Sequence, residues 1–566
     1  MARSAHASYA LGIDFGTASV RAVVFDTSSG AEVGAAEAAY ASGKAGVLSD
    51  PKQPHLARQN PADYFKALEA AVPRALSAAK SKRKRFRPEQ IVGIGVDATG
   101  STPVPVDARA RPLDMARGRK TNLNAQAWLW KDHTAHEEAA EITQKARDSR
   151  DEYLRKCGGA YSSEWFWAKL LHCKRTDAKT FAAAHTWVEQ SDLIPAYLTG
   201  VSDADAIVRN ICAAGHKGLY HEQWGGWPRR GFLASLAPEL ATLAERLPPR
   251  AVPANQPAGT LDAAVAQTLG LPAGIAVATG IIDAHAGAVG AGIRPGTLVK
   301  IIGTSTCDMM VVPLEKDLVD IPGLCGIARE SILPGHFGLE AGQSAVGDLF
   351  DWFANNLAPR EFVAKGQTHQ RLSEAAARLE PGASGLLALD WNNGNRTVLV
   401  DPLLSGLLIG QTLHTTAPQI YRALIEATAF GALTVIKRFG QYGVKVSDVV
   451  NCGGIAEKNP LLMQIYADVI NKPMKLSHSA QTCALGAAIY GAVVGGAHPD
   501  VAHAQQAMTR TQEKVYKPRK AAHEIYARLY RMYMLLHDAF GTEQFKGELN
   551  RVMKDLIDLR HAARNH

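Results

Sequence analysis

Short apolar runs rich in β-branched residues alternate along this chain with longer Ala/Leu-rich stretches of helical period. Most of the runs end in Gly or Asp, where a buried strand gives way to a turn. Strands are predicted within IVGIGVDATGS (91–101), IAVATGIIDAHAG (275–287), TLVKIIGTSTCDMMVV (297–312) and VSDVVNCGGIAEKNP (446–460). Helices are predicted over 61–76, over 417–439 and from Arg519 onward, with Pro73 and Gly431 leaving two of these boundaries open. Strands and helices in alternation argue an α/β protein. The opening stretch LGIDFGTASVRAVVFD (11–26) reads as strand, polar interruption, strand, and IIGTSTCDMMVV (301–312) echoes it. The echo predicts two related domains meeting near GAGIRPG (290–296), a segment with hinge-like glycines and a proline.

Composition narrows the class. At 566 residues the chain exceeds what one core organises, and 46% hydrophobic with 20% charged residues is ordinary for a soluble protein. A formal charge of +8 spread over this length suits an anionic small ligand, and nucleic acid is not expected as a partner. The densest basic run, Lys80 to Pro88, reads as a solvated helix end. Seven scattered cysteines without a CxxC predict reduced thiols and a cytoplasmic protein. The first ten residues lack an apolar signal core, and no run approaches the roughly 18 apolar residues of a membrane span, so no membrane partner is expected. His133 and His136 sit three apart without a third ligand, which predicts a helix surface. The amphipathic C-terminal stretch packs on its own domain or forms a homodimer contact.

The two polar interruptions carry the chemistry. A Gly-Thr-small-Ser/Thr turn presents consecutive backbone N–H groups and short hydroxyls, a nest suited to phosphate oxygens. Two such turns, one per domain, can grip a nucleotide from both sides. Asp14 precedes the first, and a carboxylate facing phosphates calls for a cation, most simply Mg2+. Ordinary hairpin turns are the plain alternative. Neither a G-x-x-x-x-G-K-[ST] loop nor a G-x-G-x-x-G loop occurs, so a nucleotide needs this other device. Asp283 ends an apolar strand and opens a helix, where it can take the proton of a hydroxyl attacking a phosphate, or merely cap the helix.

Together these motifs resemble the FGGY family of carbohydrate kinases, over about residues 10 to 540. DFGT and GTSTCD match the two phosphate loops and IIDAHAGAVGAG the catalytic aspartate segment. GNRTVLVDPLLSGLLIGQTL with LIEATAFG matches the second-domain signature, and NCGGIAEKNPLLMQIYADVINKPM with ALGAAIYGAV the adenosine side. The resemblance implies an α/β fold of two ribonuclease H-like domains flanking a cleft. It places an N-terminal domain at 8–292, a C-terminal domain at 293–540 and a helical tail at 541–566. It implies that Asp283 is the base, and that Ala98 (through its backbone), Lys217 and Glu340 bind the sugar along with Asp283. For ATP it implies Gly16, Thr17 and Ser19 in the first loop, Gly303, Thr304 and Ser305 in the second, and Gly453, Gly454 and Asn459 beside adenosine, with Asp14 organising Mg2+. GVDATGSTPVPVD, WLWKDHTAHEEAAEI, GGAYSSEWFWAKLLH, CAAGHKGLYHEQWGG and GLEAGQSAVGD resemble those members whose acceptor is a ketopentose, L-ribulose phosphorylated at O5. A kinase for D-ribulose or xylulose and a non-catalytic sugar-binding regulator are the alternatives. A partner-moving ATPase of actin or chaperone type has no use for the AGHK and GLEAG segments.

Overall fold

The structure, a computed structural model, describes residues 7–116, 118–149 and 152–564. In the first half, strands β1 (Tyr9–Phe15), β2 (Ser19–Asp26), β3 (Glu32–Ala39), β4 (Ile91–Ala98) and β5 (Ala276–Ala278) lie in the order β3-β2-β1-β4-β5. β1, β2 and β3 form an antiparallel meander, while β1, β4 and β5 run parallel. The second half repeats this arrangement. Strands β6 (Thr297–Ile302), β7 (Thr306–Pro313), β8 (His336–Ala341), β9 (Asp448–Cys452) and β10 (Met474–Ser477) lie in the order β8-β7-β6-β9-β10. Again the first three are antiparallel and the rest parallel. This is the ribonuclease H-like order that the family resemblance implied, present in both halves as the sequence echo of two related domains led one to expect. It brings the β1–β2 and β6–β7 turns to equivalent places.

Helix α1 (Pro61–Lys82) covers the first sheet and is longer than the sequence pattern suggests, running through Pro73. Its buried face, with Leu68, Val72, Ala75, Leu76 and Ala79, outweighs the one backbone bond proline cannot donate. Helix α2 (Ile211–Lys217) and helix α3 (Asp283–Gly290) each pack against elements of both halves. Helix α4 (Ala417–Gln441) also continues past its suspected breaker, Gly431. A Cβ there would lie 2.4 Å from Asp390 Oδ2, so glycine admits a buried polar network instead of ending the helix.

Helix α5 (Thr482–Val494) belongs to the second half of the chain yet lies on the first sheet. Ala10, Val23, Ala286, Val289, Val299, Val450, Leu485 and Ile489 share one apolar cluster, so the two halves interlock. Residues 113–247 add a largely helical layer around Trp128, Trp167 and Trp187, each fully buried. Helix α6 (Lys520–Gly541) and the closing helix Val552–Arg564 bury Tyr526, Tyr533, Leu556 and Leu559 in the second-half core. The tail therefore packs on its own domain. All seven cysteines are free, and among the described residues no helix is long and apolar enough to cross a membrane.

Candidate active site

The strand registers assemble an acidic floor in the cleft. In the parallel pairing of β1 and β4, Gly12 faces Gly95, Ile13 faces Val96 and Asp14 faces Asp97. Residues in register on parallel strands point to the same face, so the two carboxyls meet. The Ile281–Ile282 strand pairs with the end of β4, Ile282 opposite Ala98, and Asp283 follows as the first residue of α3. Asp283 does not cap the helix at its N-cap position; its Oδ1 accepts the Ala284 N–H at 2.6 Å.

The electrostatics follow from crowding. Asp97 is fully buried and neither of its oxygens has a hydrogen-bond partner. Burial, then Asp14 and Asp283, push its carboxyl well above the ordinary range. Burial also raises Asp14, opposed by Arg21 at 3.3 Å. Burial and Asp14 push Asp283 up to about 7, against the Ala284 N–H and Lys217. Two orphaned buried carboxylate oxygens beside two further carboxyls form a hard-oxygen donor set that fits Mg2+. Asp97 was not singled out from sequence. The signal was there: LGIDFGT and IGVDATG share a Gly-apolar-Asp ending on two strands.

The two turns expected to cradle phosphates are anchored differently. The first is a tight hairpin in which Gly16 N–H donates to Ser19 O at 3.0 Å. Thr17 is held from behind: its Oγ1 accepts from Trp130 Nε1 at 3.0 Å and its carbonyl from Gln59 Nε2 at 2.7 Å. Ser19 Oγ donates to Glu37 Oε1 at 2.5 Å, so its backbone is what remains for a ligand. In the second turn Gly303 N–H donates to Ser305 O at 2.9 Å, Thr304 is exposed, and the turn carbonyls accept N–H groups of Val346, Gly347 and Asp348. Gly453 adopts φ +96°, where a Cβ would sit 2.5 Å from Ile302 O, while Gly454 opens onto free space. Asn459 caps the helix Pro460–Ile470 through Leu462 N–H at 3.1 Å, a structural task beside any contact with adenosine.

The residues expected to bind the sugar come from both halves. Lys217 ends α2, and Glu340 lies on β8 of the second sheet. Lys217 Nζ donates to both Glu340 oxygens at 2.9 and 3.0 Å, so the two residues expected at the sugar meet directly. Burial favours a neutral Glu340, but Lys217, His285 and His216 outweigh it and hold the carboxyl well below the carboxylate range. Tyr161 Oη donates to Lys217 O at 2.6 Å, and the ammonium lies 5.5 Å from the Trp165 ring centre. The loop after Ala98 is fixed by Lys169, which donates to Ser101 O and Leu129 O at 2.9 and 2.8 Å. Glu189 accepts from Ser101 Oγ and from Thr102 N–H.

Two equivalent Gly-Thr turns, three crowded carboxyls and a buried Lys–Glu pair drawn from both halves are the arrangement expected of a phosphotransferase. Residues 9–290 match the N-terminal domain of the FGGY family of carbohydrate kinases and residues 298–494 its C-terminal domain, and the chain belongs to that family. It is therefore a carbohydrate kinase, which uses ATP. The chain is 40% identical to the ribulokinase of Shouchella clausii over 98% of both chains. It is 41% identical to the ribulokinase of Mycolicibacterium smegmatis over 98% of this chain and 97% of that one. Among solved structures, a xylulose kinase from Rhodospirillum rubrum superposes with a TM-score of 0.74 at 25% identity, covering 94% of this chain and 98% of that one. A Plasmodium falciparum glycerol kinase with ADP gives 0.74 at 16% identity over 96% and 99%, which bears on the fold alone.

Proposed function

We propose that this chain is a ribulokinase that transfers the γ-phosphoryl group of ATP to O5 of L-ribulose, giving L-ribulose 5-phosphate and ADP. The substrate choice rests on one observation: full-length identity of 38–41% to several curated proteins that are ribulokinases. The geometry supports the chemistry. Asp283, with its carboxyl raised to about 7, accepts the O5 proton as the new P–O bond forms. Lys217 and Glu340 hold sugar hydroxyls and so fix the angle of attack. The backbone N–H groups of the Gly16–Ser19 and Gly303–Ser305 turns receive phosphate oxygens, and Gly453, Gly454 and Asn459 flank adenosine. Asp14 and Asp97 are the residues that would hold Mg2+; when bound, it supplies charge neutralisation on the phosphates. Closing of the cleft excludes water, the competing acceptor.

The test is ADP release with a panel of L-ribulose, D-ribulose, L-xylulose and D-xylulose. The highest kcat/KM is expected with L-ribulose. A preference for another ketopentose would reassign the substrate within the family, and sugar-independent turnover would remove the kinase assignment.

A further inference from the structure

The sugar side of the cleft holds two histidines that the proposed transfer does not use. His216 precedes Lys217 on α2, and His285 lies two residues after Asp283 on α3. Both are buried, with ring centres 4.5 Å apart. Neither ring nitrogen of His285 has a hydrogen-bond partner, nor has Nδ1 of His216. Glu340 Oε2 lies 3.5 Å from His216 Nδ1 and 3.5 Å from His285 Nε2. One donor atom from each of the three residues falls within 4.8 Å of the others.

The hydrogen bonding around His216 leaves a conflict. Ser331 Oγ donates to Ala328 O at 3.1 Å, so its lone pair receives His216 Nε2–H at 2.9 Å. That tautomer turns the bare lone pair of Nδ1 toward a carboxylate oxygen. Glu340 Oε2 keeps its bond from Lys217 Nζ at 3.0 Å, but the Nδ1 lone pair is left without a donor in a buried site, an arrangement that folded proteins avoid. Protonation does not resolve it: burial and His285 hold His216 well below its ordinary value, and burial pushes His285 down to about 4. A cation between the three groups does resolve it. Metal–nitrogen bonds of about 2.0–2.1 Å and metal–oxygen bonds of about 2.0–2.2 Å at tetrahedral angles separate donor atoms by about 3.3–3.5 Å. Both Glu340–histidine spacings, 3.5 Å each, fall within this range. The Nε2–H donated to Ser331 is the outer hydrogen bond that orients a metal-binding imidazole. Gly326 keeps the inner side clear, since a Cβ there would lie 2.0 Å from His216 Nδ1.

We infer that His216, His285 and Glu340 form a binding site for a zinc-class divalent cation within the sugar pocket, with a fourth position open to water. Two imidazoles and one carboxylate suit zinc and cobalt(II), whereas Mg2+ prefers oxygen donors in octahedral array. Occupation draws Glu340 from Lys217, so the cation competes with the sugar. That competition rests on the sugar roles given above to Lys217 and Glu340; the binding itself does not.

The experiment titrates EDTA-stripped full-length enzyme with CoCl2 in excess MgCl2 and records the visible spectrum. Tetrahedral cobalt(II) bands saturating at about one equivalent are expected, displaced by ZnCl2 and weakened at least about ten-fold in affinity in both His285→Phe and His216→Asn. Absence of such bands in the unaltered enzyme overturns the site, whatever the variants do. So do bands that persist in both variants, or strong thiolate charge-transfer absorption, which would move the metal to cysteines. If cobalt binds as expected but L-ribulose leaves its affinity unchanged, the metal site stands and the sugar assignment of Glu340 falls.

Discussion

Asp283 stands close to Asp14 and Asp97 at the cleft floor, and its neighbours set its ionisation. The role of base proposed for it predicts that Asp283→Asn loses about 10²–10⁴-fold in kcat while nucleotide still binds, measured by ADP release and by calorimetric ATP titration. Retention of more than about a tenth of kcat would show the transfer needs no base here. The same carboxyl makes a stability prediction. Its folded value, about 7, lies above its ordinary value of 3.8, so its contribution to stability is fully present below 3.8 and is lost as pH rises through 7. Without nucleotide or Mg2+, Asp283→Asn should therefore raise Tm more at pH 8 than at pH 5. A pH-independent difference would rule out the strained carboxyl. Asp14→Ala should weaken the Mg2+ dependence and lower kcat more than it alters the L-ribulose KM; an unchanged Mg2+ titration with normal turnover would make Asp14 structural. Asp14 and Asp283 were legible in the sequence because each ends an apolar run before small residues. Asp97 was passed over because its meaning lies in the β1–β4 register, which joins residues 83 positions apart (97 minus 14) and which no local pattern states.

At the scale of elements, the contact of α5 with the first sheet is a backbone-to-backbone contact. A Cβ on Gly95 would lie 1.8 Å from Ala487 O, and one on Gly93 would lie 1.9 Å from Gly491 O. Neither obstacle is a side chain that can swing away. Gly95→Ala must push α5 off the sheet, at a cost of about 1–3 kcal/mol or more. Since α5 joins the halves, the expected result is a clear fall in Tm together with a loss of kcat. Gly440→Ala is the matched control: it lies on the exposed side of α4 near its end, nothing stands within 4 Å, and alanine favours the helix by up to about 1 kcal/mol. Equal Tm values for the two variants would contradict the packing argument. The strands were readable from apolar runs and the two turns from their echo. The interlock was not, because Gly93 and Gly95 look like weak points of a strand until the helix they admit is known. Pro73 and Gly431 misled in the opposite sense: local breakers lost to burial around them.

Across the whole molecule, a buried ion pair joins the two halves. Lys217 and Glu340 stand 123 residues apart and belong to different halves, so the pair ties the halves, beside the sugar-binding role proposed for it. The order of family motifs made the two domains and both residues legible. Their direct pairing was not, since it depends on how the halves sit together. The two roles can be separated by a double-variant cycle. Lys217→Met strands a carboxylate among histidines, and Glu340→Gln strands a buried ammonium; breaking such a pair from one side costs about 3–5 kcal/mol. The double variant buries neither charge, so its Tm should recover much of what either single change loses. Sugar recognition should not recover with it. Met and Gln together cannot supply the charged donor and acceptor that hold the hydroxyls, which are worth about 1–3 kcal/mol each. The L-ribulose KM should thus stay raised roughly ten-fold or more in all three variants, while the ATP KM at saturating sugar moves little. If the double variant restores the L-ribulose KM along with Tm, the pair is a latch between halves and the sugar is held elsewhere.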